Sequence, residues 1–164
     1  MKVLVPVDGS QAALAALVHV GSLAHSGIAV ETLLLNVQPR FHRHVGQFTS
    51  RAARDALRAE RSAAAMAPAI EALSRTRLPF RVVSEIGNVA ERIAAVAMQE
   101  KVDEVVMGTG RHPQWLRWLN PSIAQAVMER TDIPVTVLAR GRAGALERYA
   151  LPAGLAGLAA LLLT

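Results

Sequence analysis

Val102-Asp103-Glu104-Val105-Val106-Met107-Gly108-Thr109 is the stretch on which the reading of the fold turns. From Glu104 to Gly108 it has the near-continuous apolar, β-branched character of a strand buried on both faces. It opens into a loop containing Arg111, Pro113, Trp115 and Trp118, and Asn120-Pro121 then marks a helix start, because proline suits the first helical position. A buried strand, a loop and a helix make one unit; the same unit recurs upstream, and one more strand follows downstream.

Upstream, Val3 to Val7 reads as the first strand and Asp8-Gly9-Ser10 as a turn, with Ser10 capping a helix that places Leu14, Leu17, Val18 and Gly21 on one face. Gly27 is a C-terminal stop. A second strand is expected from about Ile28 to Val37, followed by a loop with Pro39 and His42-Arg43-His44. A second helix covers about Ser50 to Ser74, interrupted or kinked near Pro68. The third strand is Phe80 to Glu85, and Asn88 with Glu91 resembles a capping box at the start of the third helix. Downstream, the fourth helix runs to about Arg130 and the last strand is Val135 to Ala139.

Five strands alternating with four helices call for an α/β fold, a single doubly wound parallel sheet with helices on both faces. Ligands bind such sheets beyond the carboxyl ends of the strands, where the winding reverses. Asp8-Gly9-Ser10 and Gly108-Thr109-Gly110-Arg111 stand at those places.

Composition fits one domain. The chain has 164 residues, 52% of them hydrophobic but only 4% aromatic, so the core must be built from Ala, Val, Leu and Ile. The absence of cysteine excludes disulfides, zinc-thiolate sites and thiol nucleophiles. A net charge of +5 permits anionic partners, but no aromatic-rich basic stretch accompanies it, so no dedicated nucleic-acid module is expected. The amino terminus shows no signal-peptide pattern, which makes a cytoplasmic location the expectation. The domain is expected to span 1–140. Residues 141–164 form an apolar C-terminal tail, mobile or docked on the domain or a partner subunit. Ala150 to Thr164 is shorter than the about 20 residues a membrane-crossing helix needs. Contact of this tail with a membrane surface is the less favoured reading, since no basic amphipathic face accompanies it.

Val3-Leu4-Val5-Pro6-Val7-Asp8-Gly9-Ser10 resembles the opening of the universal stress proteins. So do Leu34-Leu35-Asn36-Val37, Gly87, the stretch 102–109, Pro121-Ser122-Ile123-Ala124-Gln125-Ala126-Val127 and Pro134-Val135-Thr136-Val137-Leu138. Together, in this order, they cover residues 2 to 140. The resemblance implies strand order 3-2-1-4-5 and a homodimer through the last strand, which would otherwise be an apolar edge. It also implies an adenine nucleotide, ATP or AMP, held by a motif of Gly, two residues, Gly, nine residues, Gly and then Ser or Thr. Carried onto this chain, the nucleotide site comprises Asp8, Val37, Gly108, Gly110, Arg111 and Ser122. Asp8 and Val37 would frame the adenine, Gly108 would lie near the ribose and Ser122 at the phosphates.

The chain departs from that motif. Counted without gaps, the second glycine position holds Arg111 and the third holds Pro121. Sliding the loop by one residue recovers Gly110 but places Asn120 at the third position. Pro121 lacks an N–H that a phosphate would use, while the Arg111 guanidinium could itself grip a phosphate. The resemblance therefore implies a stress-response signalling or interaction module that binds an adenine nucleotide through a degenerate motif. The alternative is a dimeric interaction protein, docking on other proteins, that has lost nucleotide binding. Slow ATP hydrolysis is the weakest reading.

No catalytic constellation stands out, and no enzyme is expected. Ser10, His25 and Asp8 are explained by turns and caps, and no Gly-Lys-Ser/Thr follows a strand. No metal site is expected: His42, Arg43 and His44 read as a solvated loop because no nearby carboxylate completes a ligand set. Arg51, Arg54, Arg58 and Arg61 share a helix face, with Asp55 four residues beyond Arg51, and read as a solvated, screened surface. Trp115 and Trp118 either cover a ligand, contact a partner or pin their loop.

Overall fold

The computed structural model describes residues 1–40, 50–109 and 121–139. The strands are β1 (Lys2–Pro6), β2 (Glu31–Gln38), β3 (Phe80–Ile86), β4 (Glu104–Thr109) and β5 (Val135–Ala139). The helices are α1 (Gln11–His25), α2 (Arg51–Ser74), α3 (Val89–Gln99) and α4 (Pro121–Met128). All strand pairs are parallel and the order is β3-β2-β1-β4-β5, as expected.

Alternation along the strands divides the core into two layers. Val3, Val5, Leu34 and Val106 face α1 and α2, packing with Leu14, Leu17, Met66 and Leu73. Leu4, Leu33, Leu35, Val105 and Met107 face α3 and α4, packing with Ile93, Val96, Ala124 and Val127. β1 is covered on both sides, so Val3, Leu4 and Val5 are wholly buried. That is why the strand reads as unbroken apolar sequence.

Three helix starts follow from side-chain caps. Ser10 Oγ accepts from the Ala13 N–H (3.2 Å), Ser50 Oγ from Ala53 (3.1 Å) and Asn88 Oδ1 from Glu91 (3.2 Å). At the end of α1, Gly27 takes φ +92° and its N–H donates to Ala24 O, as a left-handed helix stop requires. β2 starts at Glu31 rather than Ile28, because the Ile28 N–H is still engaged with Leu23 O and the strand's first cross-bond runs from Glu31 N–H to Met1 O. α2 continues through Pro68 without the expected interruption. α4 ends at Met128, slightly before the expected Arg130. The tail, 141–164, lies outside the described residues. Among those described, no helix is long and apolar enough to cross a membrane.

The amino-terminal ends of the strands are tied by charge. Lys2 Nζ lies 2.7 Å from Glu100 Oε2, and the Arg81 guanidinium lies 2.5 Å from the same oxygen. Arg81 also faces Glu31 at 3.5 Å, so β1, β2, β3 and the end of α3 share one cluster. Hydrogen bonds from Lys2 and then Arg81 hold the Glu100 carboxyl below its ordinary value near 4.5. A depressed carboxyl pKa contributes stability that is present above the unfolded value and is lost as pH falls through the folded one. Arg81 is shifted upward, so it stays charged throughout that acid window. Glu100→Gln should therefore be modestly less stable than the parent at neutral pH, and the gap should close as pH falls below about 4.5. Urea midpoints measured down the pH scale check this; a gap that stays constant would contradict it.

Candidate functional site

β1 does not stop pairing at its last residue. The Val7 N–H donates to Leu35 O at 2.8 Å, and the buried Asn36 carboxamide donates from Nδ2 to Val7 O at 2.7 Å. Asn36 Oδ1 in turn accepts from Gln38 Nε2 at 2.8 Å. These bonds hold the residue before Asp8 against the end of β2. The turn then closes on itself, with Asp8 Oδ1 accepting from the Ser10 N–H at 3.0 Å. Gly9 has φ +81°, and a Cβ there would lie 3.2 Å from the Ala65 backbone of α2, so the turn needs glycine for conformation and for space.

Asp8 Oδ2, by contrast, is buried and has no hydrogen-bond partner. Buried polar atoms are normally satisfied, so an orphaned carboxylate oxygen calls for an explanation. Asp8 and Val37 line one small cavity with Pro6, Leu35, Val89 and Ile93. Its floor is apolar and its volume is about 20 Å³, room for one water rather than for a nucleotide base. Two larger cavities, about 400 and 520 Å³, open at the amino-terminal ends of the strands, by His25 and Arg77 and by Lys2 and Asp103. Neither contains any residue of the expected site.

Gly108 stands on the other side of β1, at the end of β4, and does not line that cavity. A Cβ on Gly108 would sit 1.8 Å from the Ala12 carbonyl oxygen of α1. Its glycine identity is thus required by helix packing, whether or not a ribose approaches. Gly110 and Arg111 lie outside the described residues, as do Trp115, Trp118, His42, Arg43 and His44. Ser122 is placed in the first turn of α4. The structure therefore brings Asp8 and Val37 together and sets Gly108 beside them at the switch point.

Arg51 fits the solvated reading, with its side chain 91% exposed and 3.8 Å from Asp55. Arg58 does not, since its side chain is only 19% exposed while it bonds Asp55 at 3.0 Å. Among the described residues no group of His, Cys, Asp and Glu could hold a metal ion. Asn36 and Gln11 went unassigned in the sequence reading. The signal for Asn36 was a lone carboxamide in the apolar run Leu33-Leu34-Leu35-Asn36-Val37. Gln11, directly after the helix cap, gave none.

The family model described as the universal stress protein family matches residues 1–139. The chain belongs to the universal stress protein family. Among solved structures, this universal stress protein is similar to hypothetical protein MJ0577, at 26% identity and TM-score 0.69, over 86% of this chain and 96% of that one. It also shares its fold with a family member from Arabidopsis thaliana, At3g01520, solved with AMP bound, at 15% identity and TM-score 0.60, over 86% and 92% of the two chains. A universal stress protein in complex with cAMP matches at 18% identity and TM-score 0.53, over 86% and 98%. No curated protein matches the chain.

Proposed function

We propose that this universal stress protein is a non-enzymatic stress-response module that binds an adenine nucleotide at the carboxyl ends of β1, β2 and β4 and acts through ligand-dependent association. The observation that carries the reading is the buried, unpartnered Asp8 Oδ2 at the edge of an apolar recess beside Val37. A carboxylate oxygen there is matched to a donor on a ligand whose flat apolar part would lie over the recess, which is itself too small to enclose a base. AMP and cAMP in fold relatives agree with that ligand class. Ser122 and the loop residues Gly110 and Arg111 would complete the site on the phosphate side. The association surface is β5, an edge strand with Val137 40% exposed, pairing with a second copy. Cytoplasmic residence is part of the same proposal.

A second reading, a dimeric interaction protein without nucleotide, draws on Gly108. Its packing against Ala12 accounts for a motif glycine with no ligand at all. One experiment decides. Freshly purified protein is denatured and the released nucleotide identified by mass spectrometry, then apoprotein is titrated with ATP and AMP and its sedimentation followed. The proposal expects adenine nucleotide, an affinity reduced roughly tenfold or more by Asp8→Ala, and dimer formation that responds to ligand. Protein that is empty and indifferent to both nucleotides supports the second reading. A monomer at micromolar concentration under all conditions removes the β5 dimer.

A further inference from the structure

The end of the sheet opposite Asp8 carries basic side chains that the fold leaves unused. His25 is the last residue of α1 and Arg77 lies just beyond the end of α2. With Arg75 they line an open cavity of about 400 Å³ over Gly21, Ala24 and Leu78. Arg75 is held by Glu71 at 2.5 Å. The side chains of His25 and Arg77 have no hydrogen bond or ion pair among the described residues. Basic side chains at a helix end often bond its last carbonyls. Here backbone groups do that instead: Ser22, Leu23 and Ala24 O accept from the N–H groups of Ser26, Ile28 and Gly27, and Leu73 O accepts from Thr76.

The neighbouring cavity has the opposite character. It measures about 520 Å³, shares Ala24 and Leu78 with the first, and continues over Met1, Ile28 and Pro79. Its charged groups are all engaged. Lys2 Nζ meets Glu100 at 2.7 Å, and Asp103 Oδ2 accepts from the Lys2 N–H at 2.5 Å. Glu31 faces Arg81, and the Met1 ammonium donates to Ala29 O. Apolar surface remains, with Ile28 40% and Met1 41% exposed. One trough therefore runs from Arg77 and His25 onto an apolar floor, and each of its two parts falls within the size range of small-ligand sites.

We infer that this trough is a second binding site, for an amphiphilic carboxylate whose acid group meets Arg77 and His25 and whose alkyl chain lies along Ala24, Leu78, Ile28 and Pro79. A planar guanidinium matches a carboxylate in a bidentate pair, and an imidazole N–H supplies a further donor. A neutral or cationic head group would leave Arg77 unmet, and a short acid would leave the floor uncovered. Because the trough is open to solvent, head and chain must act together. The site lies at the amino-terminal ends of the strands, the length of the sheet away from Asp8, and stands apart from the nucleotide-binding reading.

Calorimetric titrations of the whole chain with decanoate, octanoate, acetate and decylamine test this. Decanoate should bind saturably at one site. Octanoate should bind roughly three- to fivefold more weakly, as expected when two methylenes leave a half-open apolar floor. Acetate and decylamine should show no saturable binding. Arg77→Gln, at an exposed position, should weaken decanoate roughly tenfold or more. Ile28→Asp, also exposed, should weaken decanoate more than octanoate. Asp8→Ala should leave decanoate binding unchanged, and a loss there would put the ligand at the other end of the sheet and overturn the site. Full affinity retained in both Arg77→Gln and Ile28→Asp would overturn it too. So would acetate or decylamine binding as tightly as decanoate, or decanoate uptake that never saturates.

Discussion

Replacing Gly108 with alanine should destabilise the protein by roughly 3 kcal/mol, at the upper end of what overpacking usually costs, and lower its melting temperature by about 10 °C. The cause is a single contact. The added Cβ would fall 1.8 Å from Ala12 O and 2.4 Å from its carbonyl carbon, and both are backbone atoms that no rotamer change can clear. Either β4 or the start of α1 must move, and α1 carries Ala13, Leu14, Ala16 and Leu17 into the core. Gly27→Ala provides the comparison. That glycine has φ +92° but nothing within 4 Å of the added carbon, so its cost is the left-handed backbone alone, about 1–2 kcal/mol. Thermal melts of the two variants should therefore rank Gly108→Ala well below Gly27→Ala, and equal or reversed losses would contradict the packing account. A loss of nucleotide affinity in Gly108→Ala would not identify a ligand contact, because the same substitution displaces the start of α1, to which the Asp8-Gly9-Ser10 turn leads.

Gly108 also shows where the sequence was legible and where it was not. Its position at the end of a buried strand followed from apolar patterning, as did the parallel sheet and both faces of the core. Caps at Ser10 and Asn88 and the stop at Gly27 could be read because each acts on backbone groups within a few residues. The reason for the glycine could not, because the atom that excludes a Cβ belongs to Ala12, nearly a hundred positions earlier in the chain. The same distinction holds in the site. Asp8 and Val37 are named by the family resemblance, and the two line one recess. Asn36 acts through a contact that depends on how β1 and β2 meet, and the burial of Gln11 Oε1 likewise depends on tertiary packing, which no local pattern encodes. Arg58 is the reverse case: the arginine spacing read as a solvated face, yet tertiary packing covers most of that side chain.

Asn36 supports the second large expectation. Its side chain is buried, and its donation to Val7 O at 2.7 Å fixes the residue that precedes Asp8. Asn36→Ala removes the donor and leaves that carbonyl short of a partner, at a cost of about 2 kcal/mol. Volume contributes to that loss, so Asn36→Asp separates the two effects. The aspartate keeps the shape and can still accept from Gln38 Nε2 but, when ionised, it sets an acceptor instead of a donor against the Val7 carbonyl oxygen. It should be at least as destabilising as alanine at neutral pH, through a buried charge that faces a carbonyl oxygen and has no cationic partner. Burial raises the folded-state pKa of such a carboxyl, so the penalty grows as pH rises through the unfolded value and relaxes in acid, where the protonated group can donate again. Urea denaturation of both variants across the acid range measures this directly. A penalty in Asn36→Asp that does not ease toward acid pH would mean the Val7 carbonyl does not depend on Asn36. On the nucleotide-binding proposal, both variants should also bind ATP more weakly, although Asn36 touches no ligand, because the anchor that holds Asp8 at the edge of its recess has been removed.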